Sequence, residues 1–132
     1  MGVRRMEQRP VMLSAGEWQV MEALWEGPKT LMELVRLLKE QVGWAKSTVT
    51  TMVRRMEEKG LIAYDQEGRT KTFRAAVSRE EAAAAETESL LRRAYHGSVG
   101  MLVNTLAKRE SLTREDIDEL YAILRKAEED VP

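Results

Sequence analysis

Between Trp44 and Gly60 runs a set of hydroxyl and cationic side chains, Lys46, Ser47, Thr48, Thr50, Thr51, Arg54 and Arg55, with no acid before Glu57. Interleaved with them, Val49, Met52, Val53 and Met56 recur at i, i+3, i+4 and i+7, the spacing that lines one face of an α-helix. At about 100° per residue, the opposite side carries Ser47, Thr51 and Arg54, flanked by Thr48, Thr50 and Arg55, with Lys46 at the helix entrance. A DNA major groove offers base-edge donors, acceptors and thymine methyls between rows of phosphates, and compact hydroxyls with forked cations are the side chains suited to it. The same pattern also fits an ordinary solvated helix face, so the surrounding elements must decide between the two.

Little other chemistry competes. Cysteine is absent, which excludes disulfides and thiolate metal sites, and there is one histidine. That residue, His96, stands beside Gly97 with no second ligand and reads as a helix end. Glu115, Asp116, Asp118 and Glu119 lack a glycine-centred loop and read as the charged first turn and flank of a helix, not a cation site. No nucleophile–base pair and no phosphate-cradling glycine loop occurs, so neither catalysis nor a cofactor or metal is expected.

With 132 residues, 43% of them apolar and 33% charged, the chain suits a small globular domain with an appendage. No apolar run approaches the roughly 18 residues of a membrane span, and Met1-Gly2-Val3-Arg4-Arg5 leads into polar residues without a signal core. A cytoplasmic protein without membrane insertion is expected. The net charge of −1 conceals an asymmetry: residues 1–77 hold 13 Lys and Arg against 10 Asp and Glu, and residues 78–132 hold 8 against 12. Local charge steers a polyanion more than the sum does, and the cationic half contains the candidate reading helix.

The elements that must position this helix follow from caps and periods. Residues 1–12, with Arg4, Arg5, Arg9 and Pro10, show no sustained period and read as a mobile arm. Ser14-Ala15-Gly16-Glu17 has capping-box spacing and opens a helix with Trp18, Met21, Leu24 and Trp25 as its buried stripe, stopped by Gly27-Pro28. After an extended link at Lys29-Thr30, a second box, Thr30 to Glu33, opens a helix with Leu31, Leu34, Val35 and Leu38 inward, ended by Gly43. The candidate reading helix is third. Beyond Gly60 the period shortens, and Leu61–Tyr64 and Thr70–Ala75 read as strands joined through Asp65–Arg69.

Three helices and a hairpin make a winged helix-turn-helix over residues 13–77. The fold class is mainly α with a small β-wing, and Arg69, Lys71 and Arg74 on that wing suit phosphate contact. Residues 78–132 read as a three-helix tail. Its first helix is opened by Ser78 to Glu81, its second holds Val99, Leu102 and Leu106, and its third, capped by Thr113, carries Ile117, Leu120, Tyr121 and Leu124. Such a tail leaves Leu90, Val99, Leu102, Leu106, Ile117, Leu120 and Leu124 too little cover, and pairing with a second copy is the simplest remedy. A two-fold dimer also places two reading helices one DNA turn apart, on an inverted repeat.

The order Leu13-Ser14-x-x-Glu17-Trp18-x-x-Met21-x-x-Leu24-Trp25, then Trp44-x-x-x-Thr48-x-x-Thr51-x-x-x-Arg55-x-x-x-Lys59-Gly60, then Gly68-Arg69, resembles the penicillinase and methicillin-resistance repressor family (BlaI/MecI type). Val77-Ser78-x-x-Glu81 and Tyr95-x-Gly97-Ser98-Val99 extend the resemblance over roughly residues 12–127. It implies a homodimeric transcriptional repressor of β-lactam resistance genes, such as those for β-lactamase or penicillin-binding proteins, that binds double-stranded operator DNA through Thr48, Thr51, Arg55 and the wing residue Arg69. It also implies a partner, a membrane-bound sensor metalloprotease that cuts the repressor after an asparagine matching Asn104. In those relatives a large aromatic follows; here Thr105 does, so cleavage and response to another signal both stay open. Ala45-Lys46 replaces a common Ser-Pro, leaving the third helix without its hydroxyl cap and with a cation near its N-terminus. The lack of cysteine excludes the copper-sensing mode of one branch. A small-molecule-responsive winged-helix repressor and a winged-helix protein-interaction module stand as alternatives. The latter should lack the cations present here.

Overall fold

The computed structural model describes residues 12–132, and the arm expected over 1–12 lies, apart from Met12, outside the described residues. Helix α1 spans Ala15–Trp25, strand β1 Lys29–Thr30, α2 Leu31–Val42 and α3 Lys46–Glu58; β2 spans Ile62–Glu67, β3 Thr70–Ala75, α4 Arg79–Tyr95, α5 Val99–Arg109 and α6 Arg114–Glu128. Both expected capping boxes of the first half close reciprocally, Ser14 with Glu17 and Thr30 with Glu33, so two of the orphan amide donors at each helix start are satisfied by side chains. Gly43 ends α2 with φ 72°, a left-handed conformation that glycine adopts without a Cβ penalty.

The three helices and the sheet share one core. Val20 and Met21 of α1, Leu34 and Leu38 of α2, and Val49 and Met56 of α3 are fully buried, with Leu61, Ile62 and Phe73 from the hairpin against them. Trp18 and Trp25, expected on the inner stripe, are only half-buried and meet edge to face at 5.6 Å, while Val20 and Ala23 take the deeper places. For Trp25 the polar N–H explains this: its Nε1 must find an acceptor, and it donates to the Val77 carbonyl at 2.9 Å.

The wing is tighter than expected. The ladder pairs Ile62 with Ala75 through to Glu67 with Thr70, so β2 continues to Glu67 and the connection is only Gly68-Arg69. Gly68 at φ 61° permits this two-residue turn, and polar Asp65, Gln66 and Glu67 form strand because a solvated hairpin tip needs no apolar side chains. The Lys29-Thr30 link pairs with Phe73 and Thr72, giving the antiparallel order β1-β3-β2 and tying the entrance of α2 to the wing.

The first compact unit ends at Ser89 and the second runs Leu90–Pro132. The expected division at Val77–Ser78 marks the end of the sheet and the cap of α4, where Ser78 and Glu81 close a third box. Contacts with the winged core continue along α4: Ala82 and Ala85 are buried, Ala82 within the core cluster itself. In the second unit, His96 and Gly97 turn the chain with positive φ, Ser98 caps α5, and a Thr113–Asp116 box opens α6. Neither α5 nor α6 contains a buried residue.

Candidate nucleic-acid interface

Burial of Val49, Val53 and Met56 turns the opposite side of α3 outward. Lys46, Ser47, Thr48, Thr50, Arg54 and Arg55 are exposed and Thr51 is half-exposed, so the structure brings together on one helix face all seven residues singled out there. Their hydrogen-bonding capacity is unequal. Thr50 Oγ1 donates to the Lys46 carbonyl at 2.9 Å, which leaves that hydroxyl only as an acceptor, whereas Ser47, Thr48 and Thr51 keep both functions free of partners among the described residues. Ala45 gives no side-chain cap and the first turn holds no acid, so the Lys46 and Ser47 amides at the start of α3 and the Lys46 ammonium have no carboxylate partner among the described residues.

Two open grooves flank the helix. Ser47, Thr48, Thr51 and Arg55 line one. The other, about 490 Å³, lies between α3 and the wing, with Leu31, Val53 and Phe73 among its apolar lining and Thr50, Arg54, Arg69 and Lys71 beside a single acid, Glu57. Arg69 and Lys71 are thus brought beside α3. Arg74 is not: it lies on the other face of the hairpin and is paired with Asp65 at 3.3 Å.

Two contacts that sequence reasoning missed hold α3 in place. Lys59, just past its end, donates to Glu17 Oε2 at 2.6 Å, and the Glu17 side chain is only 4% exposed. Burial alone would raise the Glu17 pKa, but hydrogen bonds from Lys59 and from the Ser14 amide outweigh it and hold the carboxyl below its ordinary value. The signal was present in the periodicity: Glu17 heads the series Glu17, Val20, Met21, Leu24, so an acid at a core-facing position required a cation. Nearby, α1 starts close against α3. A Cβ on Gly16 would stand 2.9 Å from Met52 Cε and 3.4 Å from the Trp44 ring, so only glycine allows that approach without displacement.

On the far side of α1, Arg79 donates to both carboxylate oxygens of Glu22 and stacks over the Trp25 ring at 4.6 Å. In the second unit, the apolar positions expected at a dimer contact are open: Leu90, Val99, Leu106, Leu120 and Leu124 are exposed, Val99 and Leu124 to about 60%, and Leu102 and Ile117 are half-buried. Asn104 is exposed in the middle of α5, and Thr105 Oγ1 donates to the Met101 carbonyl at 3.1 Å. Among the described residues there is no cluster of three or more potential metal ligands, and no helix is long and apolar enough to cross a membrane.

Comparison with known proteins gives a match between residues 13–126 and the family described as penicillinase repressor. The chain is similar to the penicillinase repressor of Bacillus licheniformis, with 27% identity over 86% of this chain and 90% of that protein. It is similar to the methicillin resistance regulatory protein MecI of Staphylococcus aureus (strain N315) with 23% identity over 92% and 99%, and to the penicillinase repressor of Staphylococcus aureus with 26% over 90% and 95%.

Proposed function

Since the chain belongs to the penicillinase repressor family, and is accordingly a DNA-binding transcriptional repressor and not an enzyme, we propose that it acts as a homodimer reading an operator inverted repeat. The observation that carries this is the outward face of α3, where Lys46, Ser47, Thr48, Thr51, Arg54 and Arg55 stand with no carboxylate partner beside a wing offering Arg69 and Lys71. Hydroxyls and forked cations on one helix face meet base edges, while the wing cations meet phosphates. Thr48, Thr51 and Arg55 are assigned to the bases, and Lys46, Arg69 and Lys71 to the backbone.

Dimerisation is supported by the second unit. Helices α5 and α6 expose Val99, Leu106, Leu120 and Leu124 without burying a single residue, which a stable helical unit in water does not leave uncovered. Linking two half-site readers multiplies their separate affinities through effective concentration. The names of the relatives point to genes of β-lactam resistance as the regulated class. For release from DNA, a cut between Asn104 and Thr105 would sever this contact, but Thr105 lacks the aromatic bulk that follows the cleaved asparagine in the resembling repressors. Release without cleavage is therefore the reading adopted.

Selection of bound duplexes from a random library, combined with sedimentation of the full-length protein, tests the proposal. The expected result is an enriched inverted repeat and a dimer at micromolar concentration. Enrichment of a single unpaired half-site by a monomer would overturn it.

A further inference from the structure

The wing is a two-stranded ladder, and in an antiparallel ladder paired residues share a face while neighbours alternate. The pairs Tyr64–Phe73 and Gln66–Lys71 fall on one face, and Ala63–Arg74, Asp65–Thr72 and Glu67–Thr70 on the other. The charges sort with the pairing. The first face of the hairpin carries Lys71 and no acid of its own, adjoins Arg69 in the turn, and forms a wall of the groove it shares with Arg54 and Glu57 of α3. The second carries Asp65 and Glu67, and its one cation, Arg74, is occupied by Asp65.

Lys71 is also held. Its Nζ lies 4.2 Å from the centroid of the Tyr64 ring, and that ring is braced at 5.8 Å by Phe73, which is buried. An ammonium on a ring face keeps its outward N–H groups free for a phosphate oxygen, while the four-carbon stem loses the freedom it would otherwise surrender on binding.

We propose, as a refinement that rests on the DNA-binding reading above, that the wing engages the sugar–phosphate backbone with one face only. Arg69 and Lys71 make the contact, Tyr64 is a positioning residue that presents Lys71, and the Asp65–Glu67 face repels phosphate and so fixes the side on which the strand lies. Arg74 belongs to the repelling face and makes no backbone contact.

The test uses the full-length protein and a short mixed-sequence duplex, because backbone contacts do not depend on sequence, with affinity followed by fluorescence anisotropy across a salt series. Lys71→Ala should lower the slope of log affinity against log salt by about one unit, and Arg74→Ala should leave it unchanged. Tyr64→Leu should weaken binding about two- to fivefold at fixed salt, Tyr64→Phe should not, and Tyr64→Leu should have no further effect in a Lys71→Ala background. An Arg74→Ala slope that falls as far as that of Lys71→Ala overturns the one-sided wing. A Tyr64→Leu loss of equal size in both backgrounds overturns the positioning role, since the ring would then be acting through the fold. If Tyr64→Leu unfolds, the comparison of Lys71 with Arg74 still decides the sidedness. Failure of the wild-type protein to bind any duplex at low salt would instead sink the DNA-binding reading itself.

Discussion

Replacing Glu17 asks whether the far end of α3 is pinned. Its carboxylate has two partners: Oε1 accepts from the Ser14 amide at 2.9 Å and closes the capping box of α1, and Oε2 accepts from Lys59 Nζ at 2.6 Å. Glu17→Gln keeps the cap and removes the charge, while Glu17→Ala removes both. The cap is worth about 1 kcal/mol. A hydrogen bond between charged groups contributes about 1.5–3 kcal/mol, and the 58% exposure of the Lys59 side chain reduces that to about 1 kcal/mol through solvent screening. Glu17→Ala should therefore cost about 2 kcal/mol and Glu17→Gln about 1, lowering Tm by about 8 °C and 4 °C. The effect should depend on pH in a definite sense. Because the folded carboxyl is held below its ordinary value, its contribution is complete above that value and is lost as pH falls through the depressed one. Urea unfolding at a series of pH values should show a stability gap between wild type and Glu17→Gln that is level from neutrality down to the ordinary carboxylate range and then narrows. A gap that widens toward acid, or a Glu17→Gln protein as stable as wild type at neutral pH, would refute the pinning.

Thr51→Ala and Arg55→Ala should each weaken binding to the selected operator by about 1–3 kcal/mol and leave mixed-sequence affinity nearly unchanged, as measured by gel shift at fixed salt. Loss of equal size on every sequence would move these residues from the bases to the backbone. Truncation after Ser89 should leave a folded, monomeric winged unit with poor operator affinity; truncation after Val77 also removes buried Ala82 and Ala85, worth about 0.8 kcal/mol per buried methyl, and should melt lower by calorimetry. Equal melting temperatures would show that α4 contributes nothing to that core. In cells derepressed by a β-lactam, mass spectrometry should find the repressor intact, and a fragment ending at Asn104 would establish the proteolytic switch instead.

Helix starts were legible in the sequence because a capping box is a local device. Ser14 with Glu17, Thr30 with Glu33 and Ser78 with Glu81 each sit three residues apart and need nothing distant to form. The outward face of α3 was legible for the same reason, since helical period alone separates Val49, Val53 and Met56 from the hydroxyls and cations. What stayed hidden was contact across the chain. The pairing of β1 with β3, the Trp25 bond to Val77, the Arg79 clamp on Glu22 and the Lys59 bond to Glu17 join residues from 42 to 57 positions apart, with the β1 pairing of similar reach, and no local period encodes them. The tip of the wing was misjudged because polar Asp65–Glu67 carries no strand signal, although two-residue turns at a glycine are common in hairpins.

A chain of net charge −1 is an unpromising partner for a polyanion until its ion pairs are placed. Lys59 is matched by Glu17, Arg74 by Asp65, Arg79 by Glu22 and Arg114 by Asp118. None of these four pairs lies on the outward face of α3 or on the wing face beside it. Lys46, Arg54, Arg55, Arg69 and Lys71 are left with no carboxylate within salt-bridge distance among the described residues. Of the acids that cancel them in the total, Glu57 lines the groove with Arg54, Arg69 and Lys71 but is within salt-bridge distance of none of them, and the acidic excess belongs to residues 78–132. Along α3 and the wing beside it these five cations outnumber the acid of the groove, and the weakly acidic whole guards against indiscriminate association with other polyanions. Removing Lys46, Arg69 or Lys71, the three assigned to the backbone, should then lower mixed-sequence affinity.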